Sequence, residues 1–148
     1  MRRIVFIMAL ALCFLEAKPQ KMDIQMSAYT FALNDSISFS VCNTDSLEVF
    51  FNVQLEKKKS GEKYVLYAED VFNSAYGKSI VLCLKPSRHS RLSFKLRNQV
   101  LYYTRKHKIQ SKMTNELNKK GAFRLKVYCG LNDKDMDSII YSDTFIIR

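Results

Sequence analysis

The sequence predicts an all-β fold, an antiparallel sandwich of seven to eight strands in one domain. Three observations support it. Apolar residues alternate with polar ones in several short runs, turn-forming residues separate those runs, and no helices alternate with them. The chain has 148 residues, 47% hydrophobic residues, 4 Gly and 2 Pro, which excludes a disordered or a collagen-like chain.

The longest alternating run is 47–56, in which every second residue from Leu47 to Leu55 is apolar. On a pleated strand this pattern places one face in the core and the other in water. Within it Phe50 breaks the outward polar row, so it is the residue to inspect for an apolar patch on a wet face. The same reasoning predicts further strands within 24–33, 37–41, 64–68, 80–84, 92–96, 123–127 and 141–147.

Turn-forming residues separate these strands. Asn43 to Ser46, Ser60-Gly61 and Asn132-Asp133 each join two of them, and Pro86 ends the strand at 80–84 because proline lacks a ladder donor. Residues 98–120 are too long for a hairpin loop. The four-residue spacing of Ile109, Met113 and Leu117 there predicts a short helix near 107–118, with a long loop as the alternative.

The N-terminus is typical of a secretory signal peptide. Arg2 and Arg3 precede twelve uninterrupted apolar residues, 4–15, which are too few for a membrane-spanning helix. We expect a signal peptide over 1–17 and a single domain over 18–148, with a buried N-terminal helix or strand as the alternative. The protein would then be exported to the periplasm, the outer membrane or the extracellular space.

A lipid anchor is a further hypothesis for this segment. The tetrapeptide that ends at Cys13 resembles the lipobox of bacterial lipoproteins, although Leu12 stands where that motif prefers a small residue. Acylation of Cys13 would give the only contact with a membrane. Cleavage without acylation would leave a soluble exported chain.

The order of four segments resembles bacterial immunoglobulin-like domains of small exported and envelope proteins, of the kind found in Bacteroidetes-like bacteria. The segments are Ile37–Asp45, Phe51–Lys57, Phe123–Tyr128 and Tyr141–Ile147, which resemble strands B, C, F and G. The resemblance implies an immunoglobulin-like sandwich and an envelope setting, but no enzyme and no particular ligand.

The cysteines depart from the antibody pattern. Cys42, Cys83 and Cys129 follow the signal segment, so at most one internal disulfide can form. Cys129 is in phase with the inward residues of its strand, whereas Cys42 is out of phase with Ile37 and Val41. A bridge between Cys42 and Cys129 is therefore disfavoured.

No catalytic, metal or cofactor motif stands out. His89 and His107 lack ligand spacing, and no nucleophile elbow or glycine-rich phosphate loop is present. The acidic residues at 133, 135 and 137 lack the glycine and closing glutamate of a calcium loop and favour a solvated hairpin tip. We therefore expect a protein that is not an enzyme, although a site without a motif would escape this reasoning.

Positive charge is concentrated at 85–120, which holds eleven Lys/Arg and only Glu116 as an acid, in a chain of net charge +10. Such a region attracts polyanions, and Tyr102 and Tyr103 could stack on sugars or bases. A solvated face is the alternative. The predicted polyanion-binding residues are Arg88, Arg91, Lys95, Arg97, Arg105, Lys106, Lys108 and Lys112.

Two functions therefore compete. The first is a non-catalytic binding or adhesion module of the bacterial cell envelope, whose partner is a protein or polysaccharide of the envelope or of a host surface. The second is a secreted polyanion-binding protein that uses the basic 85–120 region to hold anionic polysaccharide, lipid head groups or nucleic acid. Neither function requires a cofactor.

Overall fold

A computed structural model describes residues 21–72, 79–96 and 120–148. These residues form ten β-strands in two sheets, which confirms the predicted all-β, immunoglobulin-like sandwich. The strands are β1 (Met22–Met26), β2 (Thr30–Phe31), β3 (Ser36–Asn43), β4 (Val49–Lys58), β5 (Tyr64–Ala68), β6 (Leu82–Leu84), β7 (His89–Lys95), β8 (Gly121–Gly130), β9 (Ser138–Tyr141) and β10 (Phe145–Ile147). The signal segment, Cys13 and the helix expected near 107–118 lie outside the described residues.

The smaller sheet has the strand order β1-β3-β7 and is antiparallel throughout. The larger sheet has the order β2-β10-β8-β4-β5, with β6 also paired to β4 and β9 also paired to β8. Thus β3 lies between β1 and β7, and β8 lies between β4 and β10, which are the positions of strands B and F in an immunoglobulin-like sandwich. The predicted order of B, C, F and G therefore holds.

Two predicted strands are each divided in two, which accounts for the higher strand count. The segment 24–33 breaks at Ser27–Tyr29, where the chain leaves the smaller sheet, and β2 then pairs in parallel with β10 of the larger one. The segment 141–147 breaks between β9 and β10. There the Ser142 hydroxyl accepts the Leu125 N–H, so a side chain replaces one ladder bond.

The inner faces of the two sheets enclose one hydrophobic core. The alternation in β3 and β8 buries every second residue, as the sequence predicts. Aromatic rings fill the middle, and Phe123 stacks on Phe145 with ring centroids 6.1 Å apart. The largest fully buried side chains are Phe39, Phe51, Phe123, Phe145, Met22, Ile37, Leu55, Leu96, Leu125, Ile147 and Val41.

Three residues predicted to point inward are exposed instead. Leu47 precedes β4 and belongs to the turn, where its carbonyl accepts the Asn43 side-chain amide. Ile80 precedes β6, and its N–H donates to the buried Asp70 carboxylate. Tyr141 lies before the β9–β10 break, which shifts the alternation by one residue, so Ile140 is buried in its place.

Candidate binding face

The predicted basic site is described only in part. Arg88, Arg91 and Lys95 are all exposed, and we call them the basic row. Arg88 directly precedes β7, and the other two point outward from this edge strand of the smaller sheet. The remaining predicted residues, Arg97, Arg105, Lys106, Lys108, Lys112, Tyr102 and Tyr103, lie outside the described residues.

The outer face of the smaller sheet is polar around the basic row. Arg91 lies opposite Ser40, and Lys95 lies opposite Ser36. At one end a pocket of about 400 Å³ is lined by residues of β1 and β3 together with His89. Each outward position therefore offers a hydroxyl, an amide, a thiol or a charge, and hydrophobic side chains lie on the opposite face.

The outer face of the larger sheet is different, because it carries aromatic side chains. The Arg124 guanidinium lies between two tyrosine rings, with its central carbon 4.0 Å from the centroid of Tyr64 and 4.0 Å from that of Tyr141. Such cation–π contacts attract the guanidinium to both rings. The Tyr64 hydroxyl also shares a 2.5 Å hydrogen bond with the Thr144 hydroxyl, which fixes the position of the Tyr64 ring.

Glu56 pairs with two cations of this face, Arg124 and Lys126. Its carboxylate accepts Arg124 N–H bonds at 2.7 and 2.8 Å and lies 3.7 Å from the Lys126 ammonium. Only 8% of Glu56 is exposed, so this charge is held under the surface by its partners. A hydrogen bond to Tyr128 is the largest cause that raises the pKa of Lys126, whose ammonium lies 4.9 Å from that ring.

Exposed aliphatic side chains extend the aromatic surface. Leu66 on β5 and Ile139 on β9 are each 45% exposed, and Tyr141 is 46% exposed. We name the outward side chains of Tyr64, Leu66, Arg124, Tyr128, Ile139 and Tyr141 the aromatic face. Phe50, singled out from the sequence, points to the same side but is half-buried, opposite Cys83 and Gly130.

A pocket of about 310 Å³ adjoins the aromatic face. Its lining combines amide, hydroxyl and ammonium groups with apolar carbon, and consists of Asn52, Gln54, Ser79, Tyr128, Lys134 and Met136. The loop between β8 and β9 supplies the last two, because it folds back over the end of β8. A Cβ at Gly130 would lie 2.0 Å from the Asp135 carbonyl oxygen, so only glycine permits this close approach.

The described cysteines are all free thiols. Cys129 is buried, Cys42 is half-buried and Cys83 is exposed, which agrees with the phase argument against a bridge between Cys42 and Cys129. Desolvation is the largest cause that raises the pKa of Cys83 to about 11, followed by its hydrogen bond to Glu48. A raised pKa disfavours the thiolate, which is the reactive form of cysteine.

Within residues 21–72, 79–96 and 120–148, no group of three or more His, Cys, Asp or Glu side chains could hold a metal ion. Nor do these residues contain a helix long and apolar enough to cross a membrane. At the hairpin tip, Asp137 pairs with Lys21 at 3.4 Å.

Sequence reasoning missed the aromatic face. The alternation placed Tyr141 in the core, because the three residues that separate β9 from β10 were not recognised as a break. The one available signal was the apolar run Ile139-Ile140-Tyr141, which cannot alternate between an apolar and a polar face. Arg124 and Glu56 face each other only through the β4–β8 register, which no local pattern encodes.

Comparisons with known proteins yield only distant similarities of structure. The chain is similar to the alkylpurine DNA glycosylase AlkC of Pseudomonas fluorescens, with 13% identity, a TM-score of 0.44, and coverage of 95% of this chain and 33% of that one. It is also similar to the class 5 fimbriae chaperone CfaA, with 12% identity, a TM-score of 0.44, and coverage of 84% and 55%. PapD-like domain 7 of human CEP192 gives 12% identity, a TM-score of 0.36, and coverage of 88% and 89%.

The chain thus spans a third of the glycosylase and about half of the chaperone. No family model matches the sequence, and no curated protein matches it. Similarities at this level assign no activity, so the functional argument depends on the surface itself.

Proposed function

We propose that this chain is a non-catalytic binding or adhesion module of the bacterial cell envelope, and that it binds its partner through the aromatic face. The observation that carries the proposal is the stack of Tyr64, Arg124 and Tyr141 on the outward side of the larger sheet, in which Tyr141 is exposed and the other two are half-buried. Tyrosine and arginine are enriched where proteins bind partners. The aliphatic side chains of Leu66 and Ile139 are exposed on the same side and add apolar surface to the aromatic face.

The face is also fixed before binding. Glu56, Thr144 and the two rings hold Arg124 and Tyr64 in one arrangement. Side chains that are already ordered lose little conformational entropy when a partner binds. An ordered aromatic surface is therefore better suited to recognition than a set of mobile exposed rings.

The test is a pull-down of bacterial envelope fractions with the purified chain at low and moderate salt. The chain offers two exposed isoleucines on the larger sheet, and Ile139→Ser and Ile146→Ser are matched variants. Ile139 is 45% exposed beside Tyr128, and Ile146 is 42% exposed opposite Ala122, about 20 Å away along β8. We expect Ile139→Ser to lose most of the captured material and Ile146→Ser to retain it. Equal retention by both variants would contradict the proposal.

A second candidate function, polyanion binding, is favoured by the basic row. Arg88, Arg91 and Lys95 are exposed along one sheet edge, and the structure gives them no carboxylate partner in the described part of the chain. If this edge binds polyanions, heparin retention must fall steeply with salt because bound counterions are released. It must also fall in the double variant Arg91→Gln, Lys95→Gln. Retention that is unchanged between low and moderate salt would remove this candidate.

A further inference from the structure

We propose that the aromatic face binds an uncharged oligosaccharide and that one sugar unit occupies the adjoining 310 Å³ pocket. This inference rests on the proposed function and names its ligand class. The juxtaposition that carries it is a tyrosine ring, Tyr128, that lines both the aromatic face and a pocket whose other walls include amide, hydroxyl and ammonium groups.

The charges of this region favour a ligand without net charge. Arg124 and Lys126 share the Glu56 carboxylate. In the loop beside the pocket, Lys134 lies between Asp133 and Asp135 in the sequence. The cations and the carboxylates of this region are equal in number, so it has no net charge with which to attract a polyanion. The basic row, whose three cations have no carboxylate partner in the described part of the chain, lies on the other sheet.

The pocket has the donors and acceptors that sugar hydroxyl groups require. Gln54 carries an amide that can both donate and accept, and Ser79 adds a hydroxyl. The Asn52 amide nitrogen donates to the Ile80 carbonyl at 3.1 Å, and its side-chain oxygen is an acceptor. The Lys134 ammonium is a donor with three N–H groups. Hydroxyl groups of a pyranose ring are themselves donors and acceptors, so this lining is complementary to a polyol.

The same pocket presents an apolar wall in the right place. A pyranose ring has one face of C–H groups, which packs against an aromatic ring while the hydroxyls at its rim form hydrogen bonds. Tyr128 provides such a ring, and the Lys126 ammonium lies 4.9 Å from its centroid. The rings of Tyr141 and Tyr64 lie further along the face, where they could contact the next units of a chain.

The size of the pocket also favours a small polar unit. A volume of about 310 Å³ is near the lower end of the range for ligand pockets. A protein partner would instead need an apolar pocket for an aromatic or aliphatic anchor. Tyr128 and Met136 give the pocket apolar walls, and the other four lining residues give it polar groups. A ring that is apolar on its face and polar at its rim therefore fits it better than a wholly apolar anchor side chain.

The loop that closes the pocket is ordered by its own hydrogen bonds. The Asn132 side-chain oxygen accepts the N–H groups of Lys134 and Asp135 at 3.0 and 2.7 Å. Gly130 lets the loop approach β8 closely enough to place Lys134 and Met136 beside Asn52. The backbone of Lys134 is therefore held at the rim of the pocket.

The test is calorimetric titration of the full chain with a panel of polysaccharides at 50 mM and 500 mM salt. Neutral dextran, mannan and galactan are compared with acidic alginate. We expect binding to at least one neutral polymer, with an affinity that changes less than threefold between the two salt concentrations. Tyr128→Leu and Gln54→Leu should each weaken that binding at least tenfold. Tyr29→Leu is the matched control, because Tyr29 is an exposed tyrosine away from the pocket. It should leave the affinity unchanged.

Several results would overturn the inference. These are binding to alginate alone, binding that disappears at 500 mM salt, loss of affinity in the control, or no binding across the panel. Thermal melts of each variant separate lost binding from lost folding. If the panel fails while Ile139→Ser still loses capture from envelope fractions, only the ligand class is wrong and the partner is a protein. If both experiments fail, the proposed function falls as well.

Discussion

The two outer faces of the sandwich are built on the same alternation but carry different chemistry. The smaller sheet shows serines and the basic row, with positive charge that no described carboxylate pairs. The larger sheet shows stacked tyrosines, exposed aliphatic side chains and cations that share Glu56. The first face suits long-range attraction that salt screens, and the second suits close contact that salt barely affects. The net charge of the chain therefore does not indicate which face binds.

The largest effect is expected at the loop beside the aromatic face. Gly130→Ala places a Cβ against the Asp135 carbonyl, so the loop must move or β8 must shift. Forcing an extra methyl into such a contact costs about 1–3 kcal/mol of unfolding free energy. Urea unfolding of the Gly130→Ala variant measures this loss of unfolding free energy. Gly61→Ala is the control: its φ is 67°, but no atom lies within 4 Å, so only the backbone strain of about 1 kcal/mol applies. An equal cost at both glycines would contradict the close approach.

The next effect tests whether Glu56 organises the aromatic face. Glu56→Gln removes the carboxylate that Arg124 and Lys126 share, at a site only 8% exposed. Hydrogen bonds to charged groups contribute about 1.5–3 kcal/mol. We therefore expect a loss of about 1–2 kcal/mol in chemical unfolding, since both cations retain some solvent.

Glu62→Gln is the matched control for Glu56→Gln. It breaks the Lys58–Glu62 pair, whose glutamate is 92% exposed, and exposed pairs contribute about 0–1 kcal/mol. Arg91→Gln in the basic row should likewise be near neutral. If Glu56→Gln lost as little unfolding free energy as these two substitutions, the shared carboxylate would not stabilise the cations of the aromatic face.

A smaller effect of opposite sign is expected in the core under the larger sheet. The Tyr67 hydroxyl is buried and has no hydrogen-bond partner within the described residues, next to the edge of Phe123. Removing an unsatisfied buried polar group relieves its desolvation cost, so Tyr67→Phe should stabilise the protein by about 1 kcal/mol. A loss of stability in thermal and urea unfolding would show that this hydroxyl has a partner.

The same hydroxyl gives the protein an alkaline limit. Burial raises the pKa of Tyr67 above its ordinary value. Below the ordinary pKa of 10.0 the hydroxyl is neutral in both the folded and the unfolded chain, so its contribution to stability does not change with pH. Above pH 10.0 the unfolded chain loses this proton before the folded one does, so the free energy of unfolding falls as the pH rises. Between pH 9 and 11 the wild-type chain should therefore lose more stability than Tyr67→Phe. Parallel pH profiles would contradict this assignment.

The smallest effect concerns thiol reactivity. Because the pKa of Cys83 is raised to about 11, only about 0.1% of it is thiolate at pH 8. We expect iodoacetamide to modify Cys83 slowly at pH 8 and about tenfold faster for each unit of pH up to 10. Mass spectrometry of tryptic peptides distinguishes the cysteines, and the urea-unfolded chain is the control. Full modification of Cys83 within minutes at pH 8 would refute the raised value.

The sequence predicts the layers of this fold better than its surface. Alternation identifies the strands around Phe39, Phe51 and Leu125, because burial of one face leaves a local pattern with a period of two. It fails at Leu47, Ile80 and Tyr141, where hydrogen bonds of a neighbouring turn or break displace the strand end. A pattern of alternating polarity cannot report such displacements, because it records which residues are apolar and not which hydrogen bonds end a strand.

The candidate site was beyond sequence reasoning for a related reason. The stack of Tyr64, Arg124 and Tyr141 joins β5, β8 and β9, and β5 is connected to β8 only across β4. Counting charges instead highlighted 85–120, where positive residues are adjacent in the sequence. Composition detects residues that are clustered along the chain, whereas this face is assembled by folding.

The most direct test is to map the binding surface by amide chemical shifts during titration with an envelope extract that binds the chain. If the aromatic face is the binding surface, the perturbed amides will cluster at Leu66, Arg124, Tyr128, Ile139 and Tyr141. The amides of β3 and β7 will stay unchanged. Perturbation confined to Arg88, Arg91 and Lys95, with the larger sheet silent, would contradict the account.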